Sequence, residues 1–143
     1  MIQTKQQGDD PIYDNCDQKP QFPGGDEALM KFIAQNIKYP EIATENGVQG
    51  RVIVQFIVEK DGSLTSPKVI TTSPGIGEAI PIEVIASMPE KERKDAEAHN
   101  AGVKALRDEA IRVVKAMPKW TPGKQQGKVV RCRRTYPVVY RLN

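Results

Sequence analysis

Met117-Pro118-Lys119-Trp120-Thr121-Pro122-Gly123-Lys124 joins an amphipathic helical pattern to the strand-like run that ends the chain, and it holds the only tryptophan. Prolines on either side of that ring fix the backbone and end the helix behind it, while Pro122-Gly123 reads as a turn. A connector of this kind is stiff. It predicts that the placement of the last strand is what the fold controls.

Working outward, the run 129–142 alternates Val130, Cys132, Tyr136, Val138, Tyr140 and Leu142 on one side and contains Pro137. On the other side of the connector, Leu106, Ala110, Val113, Val114 and Met117 recur at helical spacing and predict a crossover helix. The clearest strand is 51–59, with Val52, Val54, Phe56 and Val58 on one face and Ile53 and Ile57 on the other. Asp61-Gly62 turns it into a returning strand over 64–72 that contains Pro67. Proline cannot donate to a ladder, so it is confined to edges, strand starts and bulges, and only the strand at 51–59 lacks one. A helical crossover also leaves the second and third strands parallel in direction, so an all-antiparallel sheet needs the first between them. The expected fold class is therefore α+β, a three-stranded antiparallel sheet of order 2-1-3 with two main helices on one face. The last strand is then an exposed edge.

The first main helix follows Phe22-Pro23-Gly24-Gly25: Asp26 is a good N-cap, and Leu29, Phe32, Ile33 and Ile37 share a face. Tyr39-Pro40 stops it. Pro40 then opens a short helix with Ile42 and Ala43 inward and Asn46-Gly47 as its exit. Residues 1–21 read as a polar lead-in with one short extended stretch at 12–16, and 22–143 as the domain proper. The stretch of about 75–105 is longer than a compact connection needs and reads as an insertion. Within it, Ser87-Met88-Pro89-Glu90 has the form of a capping box opening a charged helix, which Asn100 and Gly102 would end.

With 38% hydrophobic residues among 143, the chain suits one small core. No run approaches the ~20 apolar residues of a membrane helix, and the N-terminus lacks a signal-peptide pattern, so the chain reads as a soluble domain. No acidic residue follows Glu109, whereas Arg112, Lys115, Lys119, Lys124, Lys128, Arg131, Arg133, Arg134 and Arg141 do. These cations alternate with apolar residues in strand fashion, which suits a solvated strand edge better than a nucleic-acid site. Chemistry is thinly represented. Cys16 and Cys132 lack the spacing of a zinc site or disulfide scaffold, and Cys132 alternates with Val130 as a small buried hydrophobe. His99 lies in the polar insertion, Phe22-Pro23-Gly24-Gly25 lacks the ending of a phosphate loop, and Asp108 and Glu109 read as helix-start charges favoured by the macrodipole. No catalytic residue, metal or cofactor is expected.

Taken together, Phe22-Pro23-Gly24-Gly25, Asn36-Ile37-Lys38-Tyr39-Pro40, Gly47-Val48-Gln49-Gly50-Arg51-Val52, Asp61-Gly62, Met117-Pro118-Lys119-Trp120, Pro122-Gly123-Lys124 and Tyr136-Pro137-Val138 resemble the TonB C-terminal domain. The Phe-Pro-Gly-Gly form is similar to members from Bacteroidetes-like Gram-negative bacteria. The resemblance implies a periplasmic domain of an energy transducer anchored in the inner membrane with ExbB and ExbD, which pulls on outer-membrane transporters for siderophores, haem, cobalamin or glycans. A homodimer is compatible with it, and no enzyme chemistry or nucleic acid is implied. It further implies capture of the transporter's TonB box as a strand added beside the last strand, by β-augmentation. Carried onto this chain, the contacts would be Asn36, Ile37 and Lys38, with Val129, Val130, Arg131, Cys132, Arg133, Arg134, Thr135 and Tyr136 offering the ladder. Arg131 and Arg133 would flank the peptide and favour acidic boxes. Phe22, Pro23, Gly24, Gly25, Tyr39, Pro40, Gly50, Gly62, Pro118, Trp120, Pro122 and Gly123 would be scaffold. Arg134 departs from the pattern, where an apolar or aromatic residue is common, and suggests a bulge or an adapted edge. The family's membrane anchor and proline-rich spacer are not in this chain, which the resemblance reads as an excised domain. An adaptor of another envelope protein, working without a motor, is the other reading.

Overall fold

The computed structural model describes residues 10–72 and 79–142. In chain order its elements are β1 (Ile12–Tyr13), α1 (Asp26–Asn36), α2 (Glu41–Glu45), β2 (Gly50–Val58), β3 (Leu64–Thr72), α3 (Ile82–Ala86), α4 (Glu90–Lys115), β4 (Gly123–Gln125) and β5 (Lys128–Tyr140). The sheet runs β1-β5-β2-β3, and β4 also pairs with β5. Proline placement thus predicts the centre correctly: β2, the one of the three long strands without a proline, lies between β3 and β5. All of Val52, Val54, Phe56 and Val58 on its one face are fully buried.

The expectation of three antiparallel strands with β5 as an exposed edge is overturned. β1 lies parallel to β5, with Ile12 opposite Arg131 and Tyr13 opposite Cys132. β4 pairs antiparallel with residues 128–130 of the same strand. The sheet is mixed, with five strands. A two-residue strand in a polar lead-in is too short to show alternation, and its pairing is long-range, so sequence periodicity could not reveal it.

The turn expected at Pro122-Gly123 is also displaced. Thr121 is bridged to Gln21 and Gly123 opens β4. The reversal falls at Gln126-Gly127, where both φ angles are positive (51° and 79°), as a two-residue type I′ hairpin requires. Gly123 is needed for close approach instead, since a Cβ there would lie 3.2 Å from the Cβ of Cys132.

Residues 90–115 form one continuous helix, not an inserted segment followed by a crossover. Gly102 does not end it; a Cβ at this position would meet Cγ2 of Val48 at 2.8 Å, so glycine is there for packing. Asn100 does not end it either, because its side chain holds both backbone groups of Ile80, accepting from the N–H at 2.7 Å and donating to the carbonyl at 2.9 Å. Ser87 closes α3 by donating to the Val84 carbonyl and is no capping box for α4. Asp108 and Glu109 lie well inside α4, where helix-start electrostatics do not act. Residues 75–78 of the expected insertion lie outside the described residues.

Contacts divide the chain into two units, to each of which β2, β3, α4 and β5 contribute residues. The first holds the described residues of Met1–Asn36, Gln55–Lys68 and Val113–Tyr136; Phe22, Leu29, Ile33, Phe56, Val58 and Trp120 are its core. The second holds those of Ile37–Val54, Val69–Arg112 and Pro137–Asn143, with Ala43, Val48, Val54, Leu106, Val138 and Tyr140 buried. In this unit the Tyr39 hydroxyl donates to the Val48 carbonyl, and its ring meets that of Tyr140 edge-on at 5.5 Å. Ile42, expected inward, is 39% exposed, whereas Ala43 is fully buried.

Candidate functional site

The connector before β5 is held on three sides. Trp120 donates its backbone N–H to the Gly62 carbonyl at 2.9 Å, and its ring stands edge-on to Phe22 (5.8 Å) and Phe56 (5.3 Å). Gly62, at φ +87°, is irreplaceable on geometry, because a Cβ would lie 2.2 Å from the Trp120 carbonyl oxygen. Phe22 is itself fixed by the turn behind it, where Gly24 and Gly25 have positive φ and the Gly25 N–H donates to the Phe22 carbonyl. Its second aromatic neighbour is Phe32, 5.5 Å away. The Trp120 indole N–H is buried without a hydrogen-bond partner among the described residues.

From this anchored elbow, β5 runs beside the lead-in through a series of side-chain contacts. Arg131 is only 6% exposed and gives Nε and Nη2 to the Glu59 carboxylate at 2.7 and 3.1 Å, with Nη1 on the Asp10 carbonyl at 2.8 Å. Glu59 is 3% exposed, so this is a buried bidentate pair. Asp10 also pairs with Lys60 at 2.6 Å, and Asp14 pairs with Arg133. Asp17 accepts from the Gln126 N–H at 2.8 Å, tying the lead-in to the hairpin turn. Between these, the buried Cys16 thiol donates to Cys132 with the sulfurs 2.7 Å apart. Burial, and secondly the Cys16 contact, push the Cys132 thiol up to about 12. A thiol that stays protonated at neutral pH is a poor nucleophile.

The side chain of Arg131 therefore does not flank a captured peptide as expected; Glu59 has taken it, and only its backbone belongs to the ladder. Arg134 stands where alternation points inward. It is accommodated by laying its guanidinium 5.6 Å over the Trp120 ring and donating to the Pro20 carbonyl at 3.0 Å. Arg131, Arg133 and Arg134 are thus each engaged within the chain, unlike a phosphate-binding stripe. Arg133, Arg134 and Lys19, with Asp14 and Asp26, line an open cleft of about 420 Å³ beside residues 132–135 of β5. Strand partners on the β1 side of β5 are registered at Arg131 and Cys132; among the described residues neither β1 nor β4 is registered against residues 133–136. Thr135 is exposed there and Tyr136 half-buried.

Of the other expected contacts, Asn36 shares the first unit with residues 128–136 of β5, and its amide donates to the Phe32 carbonyl of its own helix. Ile37 and Lys38 belong to the second unit. The Lys38 N–H donates to Glu109 at 2.7 Å, and Arg112 grips the same carboxylate with two bonds of 2.7 Å. That guanidinium, followed by the Lys38 N–H, holds the Glu109 carboxyl below its ordinary range. Sequence reasoning missed Asp10, Asp14 and Glu59, all of which act on β5, and left open whether Cys16 pairs with Cys132. An acid closing the apolar run of β2 was the one available signal. Among the described residues no His, Cys, Asp and Glu group could hold a metal ion, and no helix is long and apolar enough to cross a membrane.

The model of the family described as Gram-negative bacterial TonB protein C-terminal matches residues 35–79. Two NMR solution structures of the Helicobacter pylori TonB C-terminal domain are similar to this chain. One has 18% identity and a TM-score of 0.37, covering 80% of this chain and 90% of the other; the second has 20% and 0.35, covering 85% and 89%. No curated protein matches the sequence.

Proposed function

We propose, from the premise that the chain belongs to the TonB C-terminal family, that it is the periplasmic end of a TonB-type energy transducer and captures an extended segment of an outer-membrane transporter as an added strand on β5. The family is one of protein-interaction domains, not of enzymes. The observation that carries the reading is the length of β5 against that of its neighbours. Thirteen residues form the strand, yet β1 and β4 are registered only along its first part. A peptide laid along residues 133–136 would use backbone N–H and C=O groups for affinity, and side chains beside the cleft for selection. Arg133, Arg134 and Lys19 outnumber Asp14 and Asp26, which favours acidic residues in the peptide. A pull on the captured strand loads β5 along its axis, and the Trp120 elbow, fixed by Gly62, Phe22 and Phe56, resists that load. Coupling to the proton motive force would reach the domain through ExbB and ExbD and an inner-membrane anchor.

Titration with TonB-box peptides, followed by backbone amide NMR, tests the reading. Shifts concentrated at residues 133–136, with weaker binding of acidic boxes to Arg133→Glu, are the expected result. Perturbations confined to α3 or α4, or no saturable binding by any box peptide, would overturn it.

A further inference from the structure

We infer that Cys16 and Cys132 are a disulfide-forming pair whose oxidation staples the lead-in onto β5 and closes residues 131–132 of that strand to any added peptide. Three independent observations lead there. The two sulfurs lie 2.7 Å apart, although the residues are 116 positions apart in sequence; this is closer than packing alone requires and short of the ~2.05 Å of a bond. Tyr13, three residues before Cys16, is registered against Cys132, so the lead-in already lies beside β5 just before the bond would form. On both sides of the pair the lead-in is held by polar contacts, Asp10 with Lys60 and Arg131, Asp14 with Arg133, and Asp17 with Gln126. The bond would covalently fix an arrangement that reversible contacts already favour.

Its consequence for β5 follows from sheet geometry. Each strand has two sides: β2 takes one side of β5 and β1 the other. A captured peptide can extend past residue 133 toward residues 131–132 only if β1 lifts away. With the thiols reduced, the displacement costs two strand residues and a few polar contacts. Once the disulfide has formed, the lead-in is tethered one side chain from the ladder and cannot leave. The effect on peptide binding rests on the strand-capture reading above; the formation of the bond does not.

The chemistry is thiol–disulfide exchange with a small-molecule or protein disulfide as oxidant. Cys16, the less buried of the two at 8% against 2% exposure, attacks one sulfur of that disulfide as its thiolate and expels the first thiol. Cys132, deprotonated as the lead-in breathes, then attacks the Cys16 sulfur and expels the second. Two protons and two electrons pass from the cysteines to the oxidant, which leaves as two thiols. A dithiol reductant reverses the sequence.

To test this, the folded chain is incubated with oxidised glutathione, denatured without reductant and treated with a maleimide. The expected product has lost two hydrogens and takes up no label; two labels after prolonged exposure would overturn the inference. Amide exchange at Ile12 and Tyr13 is then compared between oxidised and reduced protein, with at least about tenfold slowing on oxidation expected. Equal exchange in the two forms would overturn the staple even if the bond forms. A box peptide spanning residues 129–136 should bind the reduced protein, and Cys16→Ser in either redox condition, about tenfold tighter than the oxidised protein. If the peptide binds no form at all, strand capture fails, and the exchange measurement still decides the staple on its own.

Discussion

Arg131 has no counterpart for its charge in the sequence nearby, and the fold supplies one from the end of β2. Removing one member of a buried, bidentate pair leaves the other charge uncompensated, so Arg131→Met should cost about 3–5 kcal/mol in urea unfolding. The double variant Glu59→Leu/Arg131→Met should recover most of that loss, and a single-variant cost under ~1 kcal/mol would show the pair to be dispensable. Gly62→Ala combines a positive φ with a Cβ set 2.2 Å from the Trp120 carbonyl oxygen, and should lower stability by about 2 kcal/mol or more, read as a shift of the urea midpoint. Glu109 makes a pH prediction. Its folded pKa is depressed by Arg112, so its contribution is complete above the unfolded value of ~4.3 and is lost as pH falls through the lower folded value. Wild type and Glu109→Gln should therefore differ in urea midpoint at neutral pH and converge in acid. A constant difference down to about pH 2.5 would refute the assignment. Little of this was legible beforehand, because a sequence carries the charges but not the long-range partner that each one meets.

Elements show where local pattern suffices and where it misleads. β2 was readable in full, since a period of two with no proline has one buried solution. The break expected in α4 was not real. Glycine and asparagine are helix enders when only propensity acts, but here Gly102 admits Val48 and Ala43 close to the helix and Asn100 reaches the Ile80 backbone. Gly102→Ala sets two effects against each other. Helix propensity gains about 1 kcal/mol, while overpacking a close contact costs about 1–3 kcal/mol. The Val48 methyl at 2.8 Å can shift, but the Ala43 Cα at 3.3 Å is backbone and cannot readily do so, so a net loss near 1 kcal/mol is expected in chemical denaturation. A more stable variant would mean that this contact relaxes freely. For β5, the strand itself and its launching elbow were readable, but its covering by β1 and β4 was not.

At the scale of the molecule, the lead-in decides how much of β5 is free. If Cys16 and Cys132 are joined, they close a loop of more than a hundred residues, and the chain-entropy model gives about 4–5 kcal/mol of added stability. Unfolding with and without reductant should therefore differ by several kcal/mol, a difference that Cys16→Ser abolishes; identical curves would argue against a stabilising bond. By itself the sequence determined the α+β class, the central place of β2, the rigid elbow at Trp120 and the resemblance to TonB C-terminal domains, because periodicity, proline chemistry and short motifs are local properties. Only the tertiary structure decided that the first part of β5 is covered rather than an open edge, that Arg131 belongs to Glu59, and that Cys16 meets Cys132. Those three outcomes depend on residues some 70 to 120 positions apart coming together, and such pairings are selected by the free energy of the assembled fold rather than by any stretch of chain read alone.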